Sequence, residues 1–190
     1  MRYLHRIPLL LTFLRATLGP VVVWLAFFQP IPWVFAICLL VAFLSDLFDG
    51  VIARRLGIAT PSLRRMDSCA DTIFYICALF AAWHLHATIL KSYLIPLAIL
   101  VVIELTRYCF DLYKFGKEAS YHMWSSKLWG VTLLVGFMSV LVQERGGWPI
   151  VLTLYVGIAA DIEGLLISTI LKQWRTDVPT IFHAFKLSQL

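Results

Sequence analysis

Six long apolar runs separated by short clusters of charge decide what this chain can fold into. In a bilayer there is no water to satisfy backbone N–H and C=O groups, so a segment crossing it must bond within itself, as a helix does. The expected architecture is therefore all-α and polytopic. Six transmembrane helices are placed at about Leu9–Phe28, Trp33–Leu56, Met66–His84, Tyr93–Lys114, Trp124–Gln143 and Trp148–Leu171, with loops between them and a short N-terminal interfacial segment at residues 1–8. Pro20 is expected to kink the first helix. Composition excludes a soluble domain: 61% of residues are hydrophobic, against roughly 45–50% in a soluble fold. No repeat, Pro-rich linker or low-complexity tract divides residues 1–190, which read as a single domain.

The charged clusters give an orientation. With the N-terminus inside, the N-terminus, the link at residues 55–65, the loop at 115–124 and the tail share one side and hold most of the Lys and Arg, so the positive-inside rule makes that side cytoplasmic. The first helix reads as retained rather than cleaved, because Arg15 interrupts it and no small-residue cleavage site follows. A net charge of +5 suits an anionic membrane surface and phosphorylated substrates better than nucleic acid. Cys38, Cys69, Cys77 and Cys109 show no CxxC spacing and read as buried small hydrophobes.

The chemistry concentrates between Ser45 and Thr72. Asp46 and Asp49 are three residues apart, and Asp67 and Asp71 four apart, so each pair shares one helical face. A carboxylate at mid-bilayer costs about 2.5–3.5 kcal/mol on insertion scales, so four together must lie shallow or have their charge matched. Hard oxygen donors without Cys or His suit Mg²⁺ or Mn²⁺ rather than Zn²⁺. Gly50, within a helix and beside Asp49, marks a place where a ligand or another backbone comes close.

The run Asp46-x-x-Asp49-Gly50-x-x-Ala53-Arg54, followed by Asp67-x-x-x-Asp71 at the matching spacing, resembles the signature of the CDP-alcohol phosphatidyltransferase family. One position departs from it: Leu63 stands where the family has its second glycine, which narrows the approach of the nucleotide. The resemblance implies transfer of a substituted phosphoryl group from a CDP-linked donor, such as CDP-diacylglycerol, to an acceptor hydroxyl with release of CMP. It implies that Asp46, Asp49, Asp67 and Asp71 hold the metal, that Asp71 is also the general base, and that Asp49, Gly50, Ala53 and Arg54 meet the cytidine diphosphate. Homodimerisation is implied in the same way. Thr12-Phe13-Leu14-Arg15 is similar to a T-x-x-R stretch of the family, which makes Arg15 a phosphate contact; the alternative is a side chain snorkelling to the headgroups.

Arg64, Arg65, Arg107 and Lys127 are candidate contacts for a phosphorylated acceptor, and the LTFLRATLGP opening resembles the phosphatidylglycerophosphate and cardiolipin synthase branches. These point to glycerol 3-phosphate or phosphatidylglycerol, whereas Glu104, Asp161 and Glu163 would favour a cationic head group. Glu104 and Arg107 at i,i+3 either neutralise each other or line the cavity. Asp161 and Glu163, two apart, cannot share a face, so at least one needs a specific partner. His84 and His86 read as exposed loop residues. Two other classes remain open: a lipid- or nucleotide-binding relative without catalysis, and a cation transporter, whose acids would be spread through the membrane depth.

Overall fold

The computed structural model describes residues 7–188 apart from 59 and 120, with the backbone alone at 61 and 62. Most of the expected interfacial segment, residues 1–6, lies outside the described residues. The elements are all helical: α1 Ile7–Phe28, α2 Pro32–Arg55, α3 Pro61–Lys91, α4 Leu94–Phe115, α5 Trp124–Phe137, a π-helical stretch Met138–Val142, α6 Trp148–Ile170 and α7 Ile181–Ser188. Among the described residues five helices are long and apolar enough to span a membrane: α1, α2, α3, α5 with its π-helical continuation, and α6. The sixth expected span, α4, has the length at 22 residues but carries Glu104, Arg107, Asp111 and Lys114.

Hydrogen bonds close both ends of the link between the two aspartate pairs. Gly57 takes a left-handed φ of +66°, which lets Ile58 N–H donate to the Ala53 carbonyl at 3.0 Å and Gly57 N–H to that of Arg54 at 3.2 Å. This double closure ends α2. Thr60 then caps α3: its hydroxyl accepts from Leu63 N–H at 3.3 Å, while Pro61 fits the first turn, where its missing N–H costs nothing. The backbone of Leu63 thus serves the helix start.

Three expectations change. The loop placed at His84 to Ser92 is helical as far as Lys91, with a local break at His86 (φ −130°, ψ 41°). No Gly or Pro interrupts that stretch, and polar side chains alone do not stop a helix. His84 is exposed but packs its ring 4.2 Å from that of Phe27. The fifth helix changes winding at its end: Gln143 N–H reaches five residues back to the Met138 carbonyl, at 3.1 Å. The tail forms α7, whose Ile181 N–H donates to Glu163 Oε1 at 3.3 Å.

The helices pack as two compact units. The first comprises Met1–Leu90 with Phe137–Gly146. In it α1 lies along α2, and α2 also meets the π-helical stretch, around buried Val22, Leu25, Phe35, Leu39, Phe74 and Leu141. Gly19 sets the spacing of α1 and α3, since a Cβ there would stand 3.3 Å from the Phe74 Cα and 3.2 Å from Cys77 Sγ. Backbone is within reach of that position, so Gly19→Leu is expected to overpack the contact and destabilise the fold by about 1–3 kcal/mol. Thermal unfolding in detergent tests this, and an unchanged midpoint would show that the helices do not approach there.

The second unit comprises Lys91–Gly136 with Gly147–Leu190. Its polar interior follows one face of α6. Thr153 donates to the Thr132 carbonyl at 2.5 Å, Asp161 pairs with Arg107, and Ser168 bonds to both Tyr121 and Asp111. Lys114 closes the end of α6 by donating to the Ser168 and Thr169 carbonyls at 2.8 and 2.9 Å. Burial pushes the Tyr121 phenol above its usual pKa, so Tyr121 stays neutral and keeps its hydroxyl in this network.

Candidate functional site

The two aspartate pairs converge in the first unit. Asp46 and Asp49 project from α2, and Asp67 and Asp71 from about two and three turns into α3. One carboxylate oxygen each from Asp46, Asp49 and Asp67 lie within 4.8 Å of one another. At the centre stands the guanidinium of Arg15. Its Nη1 contacts Asp46 Oδ1 at 2.7 Å and Asp71 Oδ1 at 2.6 Å. Its Nη2 contacts Asp49 Oδ2 at 2.8 Å and also Asp67 Oδ1. Each nitrogen therefore joins one acid of α2 to one of α3.

This overturns the snorkelling alternative for Arg15. Its side chain is 1% exposed and points into the carboxylates, because four negative groups a few ångströms away offer more than a longer reach to the headgroups. Gly19 lies one turn along the same face of α1 and lets α3 come close enough for the contact. Sequence reasoning did not single out Gly19; its signal is a small residue four positions after a charged one inside an apolar helix.

The donor set fits a hard divalent cation: oxygens only, three of them close together, already gathered around a positive group. Gly50 lies on the same face of α2. A Cβ there would meet the Arg54 guanidinium at 3.4 Å, so what comes close to Gly50 is the side chain of its own i+4 neighbour rather than another helix. Arg54 is exposed and Ala53 buried. Gly50 is thus overlaid, next to the acids, by a flexible positive side chain able to bond phosphate oxygens.

The remaining basic candidates lie elsewhere. Arg64 and Arg65 are in the first turn of α3, in the first unit, half-buried and exposed respectively. Arg107 and Lys127 belong to the second unit. Arg107 Nε lies 3.1 Å from Asp161 Oδ1, and exposed Lys127 holds its Nζ 4.5 Å from the Trp124 ring centre. Asp161 and Glu163 each have a partner, Arg107 and the Ile181 N–H.

Compared with known proteins, the chain matches the family profile described as CDP-alcohol phosphatidyltransferase over residues 5–162. No curated protein and no solved structure matched it.

Proposed function

Because the chain belongs to the CDP-alcohol phosphatidyltransferase family, a family of phosphotransferases that move a phosphatidyl group from a CDP-alcohol, we propose that it makes phospholipid from CDP-diacylglycerol in a divalent-metal-dependent reaction. The observation that carries this reading is the convergence of Asp46, Asp49, Asp67 and Asp71 around one positive centre.

In this reading the four aspartates hold Mg²⁺ or Mn²⁺, which when bound offsets the charge of the diphosphate. Gly50 and Ala53 leave room for the cytidine diphosphate, and Arg54 bonds its phosphate oxygens. Asp71 takes the proton of the acceptor hydroxyl as that oxygen bonds to phosphorus. The bond from phosphorus to the CMP oxygen breaks, and CMP leaves. The acceptor is glycerol 3-phosphate or phosphatidylglycerol, bound through basic side chains such as Arg64 and Arg65. The basic loops favour a cytoplasmic position for this chemistry, and the family resemblance favours a homodimer.

Two measurements test the reading. Purified protein given CDP-diacylglycerol and a panel of hydroxyl acceptors is expected to release CMP with Mg²⁺ or Mn²⁺ and to stop on chelation; release that persists under chelation would exclude the metal. Gly50→Ala adds a methyl that meets only the end of a flexible arginine, so the melting temperature is expected to stay within a degree or two. KM for the donor is expected to rise about tenfold. An unchanged KM would mean that the donor does not pass over Gly50.

A further inference from the structure

We propose that Arg15 is an exchangeable counter-ion of the aspartate cluster: it holds the four carboxylates together before a divalent cation arrives and gives up its place when the cation enters. The inference rests on the metal reading above and adds to it a second state of this chain's own side chain.

Geometry is the first support. The oxygens that Arg15 holds include one each from Asp46, Asp49 and Asp67, the three residues able to offer donor atoms to one ion. Arg15 Nη2 is shared by Asp49 and Asp67, so a dication drawing those two carboxylates together competes with the guanidinium for the same carboxylates and repels it. Arginine and metal are therefore alternatives at this spot.

Charge is the second. Four carboxyl groups surround a single guanidinium, more acid than one cation can neutralise, so Arg15 organises the site without satisfying it. A dication does so better, and the guanidinium is then free to turn toward other anions.

Hydrogen bonding is the third. Arg15 Nε is buried with no hydrogen-bond partner, although a guanidinium normally spends all its donors when taken out of water. Its placement among the aspartates leaves that donor unused. A diphosphate ligand brings acceptor oxygens to fill it, which makes the phosphate contact the second position of Arg15, reached only after the metal has taken the carboxylates.

The test compares Mn²⁺ binding, read by electron paramagnetic resonance, and melting temperature with and without Mn²⁺, on the full chain in detergent. Arg15→Gln is expected to bind Mn²⁺ about tenfold more tightly than the wild type. It is also expected to melt at a lower temperature without metal and to gain more on its addition. Arg15→Lys keeps the charge but has a single ammonium to set against carboxylates from two helices, so its affinity should fall between the two. Should Arg15→Gln fail to fold, the lysine variant alone decides. Mn²⁺ affinity that is unchanged or weaker in the variants would overturn the exchange while leaving the metal reading intact. No Mn²⁺ binding by wild type or variants would remove the metal reading and this proposal with it.

Discussion

Asp71→Asn is expected to lower CMP release by about a thousandfold or more while leaving the chain folded and inserted. Asparagine has the same shape and still accepts a hydrogen bond, so Arg15 Nη1, which holds Asp71 Oδ1 at 2.6 Å and Asp46 Oδ1 at 2.7 Å, keeps a partner at that position. What is lost is the negative charge and the capacity to take a proton from the acceptor hydroxyl. Asp67→Asn removes charge one turn earlier on the same face of α3 and tests metal binding without the base. Its activity should recover in part at raised Mg²⁺, whereas that of Asp71→Asn should not, because added metal does not replace a proton acceptor. Turnover against metal concentration for both variants separates the roles. Equal recovery by both would show Asp71 to be a ligand only, and full activity of Asp71→Asn would remove it from the chemistry.

What was legible in the sequence was whatever depends on residues close along one helix. The spacing of Asp46 with Asp49, and of Asp67 with Asp71, fixes a shared face wherever the helices lie; the start of α3 at Pro61, ahead of the expected Met66, rests on the Thr60 cap that the Leu63 N–H completes. The position of Arg15 was not legible: an arginine in an apolar run points to the headgroups or to a buried acid according to which helix is its neighbour, and that depends on the Gly19 contact with Phe74 and Cys77, more than fifty residues away in the chain. The pairing of Arg107 with Asp161 is hidden in the same way, since Glu104 offers a local partner at i,i+3 and the choice between them is tertiary. The continuation of α3 past His84 is hidden because His84, His86 and Lys91 are as polar as a loop, yet no residue there breaks the helix. The winding change at Met138–Val142 has no local sequence mark that distinguishes it from ordinary helix.

The second large effect belongs to that hidden pair. Asp161 is 2% exposed and Arg107 24%, so the two residues are not equivalent on removal of a partner. Arg107→Met leaves a carboxylate sealed among helices, with its Oδ2 already lacking a hydrogen-bond partner, and is expected to destabilise the protein by about 3–5 kcal/mol. Asp161→Leu leaves a long cation that reaches toward water along its own stem, and its cost should be clearly smaller. Joining the two changes removes both charges and fills the space with apolar atoms, so the double variant should regain most of what Arg107→Met loses. Unfolding titrations on the two single variants and the double variant measure the coupling. Additive losses would mean that the 3.1 Å approach of Arg107 Nε to Asp161 contributes nothing. Equal losses for the single variants would mean that Arg107 is as firmly enclosed as its partner. The asymmetry also bears on the proposed acceptor: Arg107 would reach a phosphorylated group only at the cost of stranding Asp161.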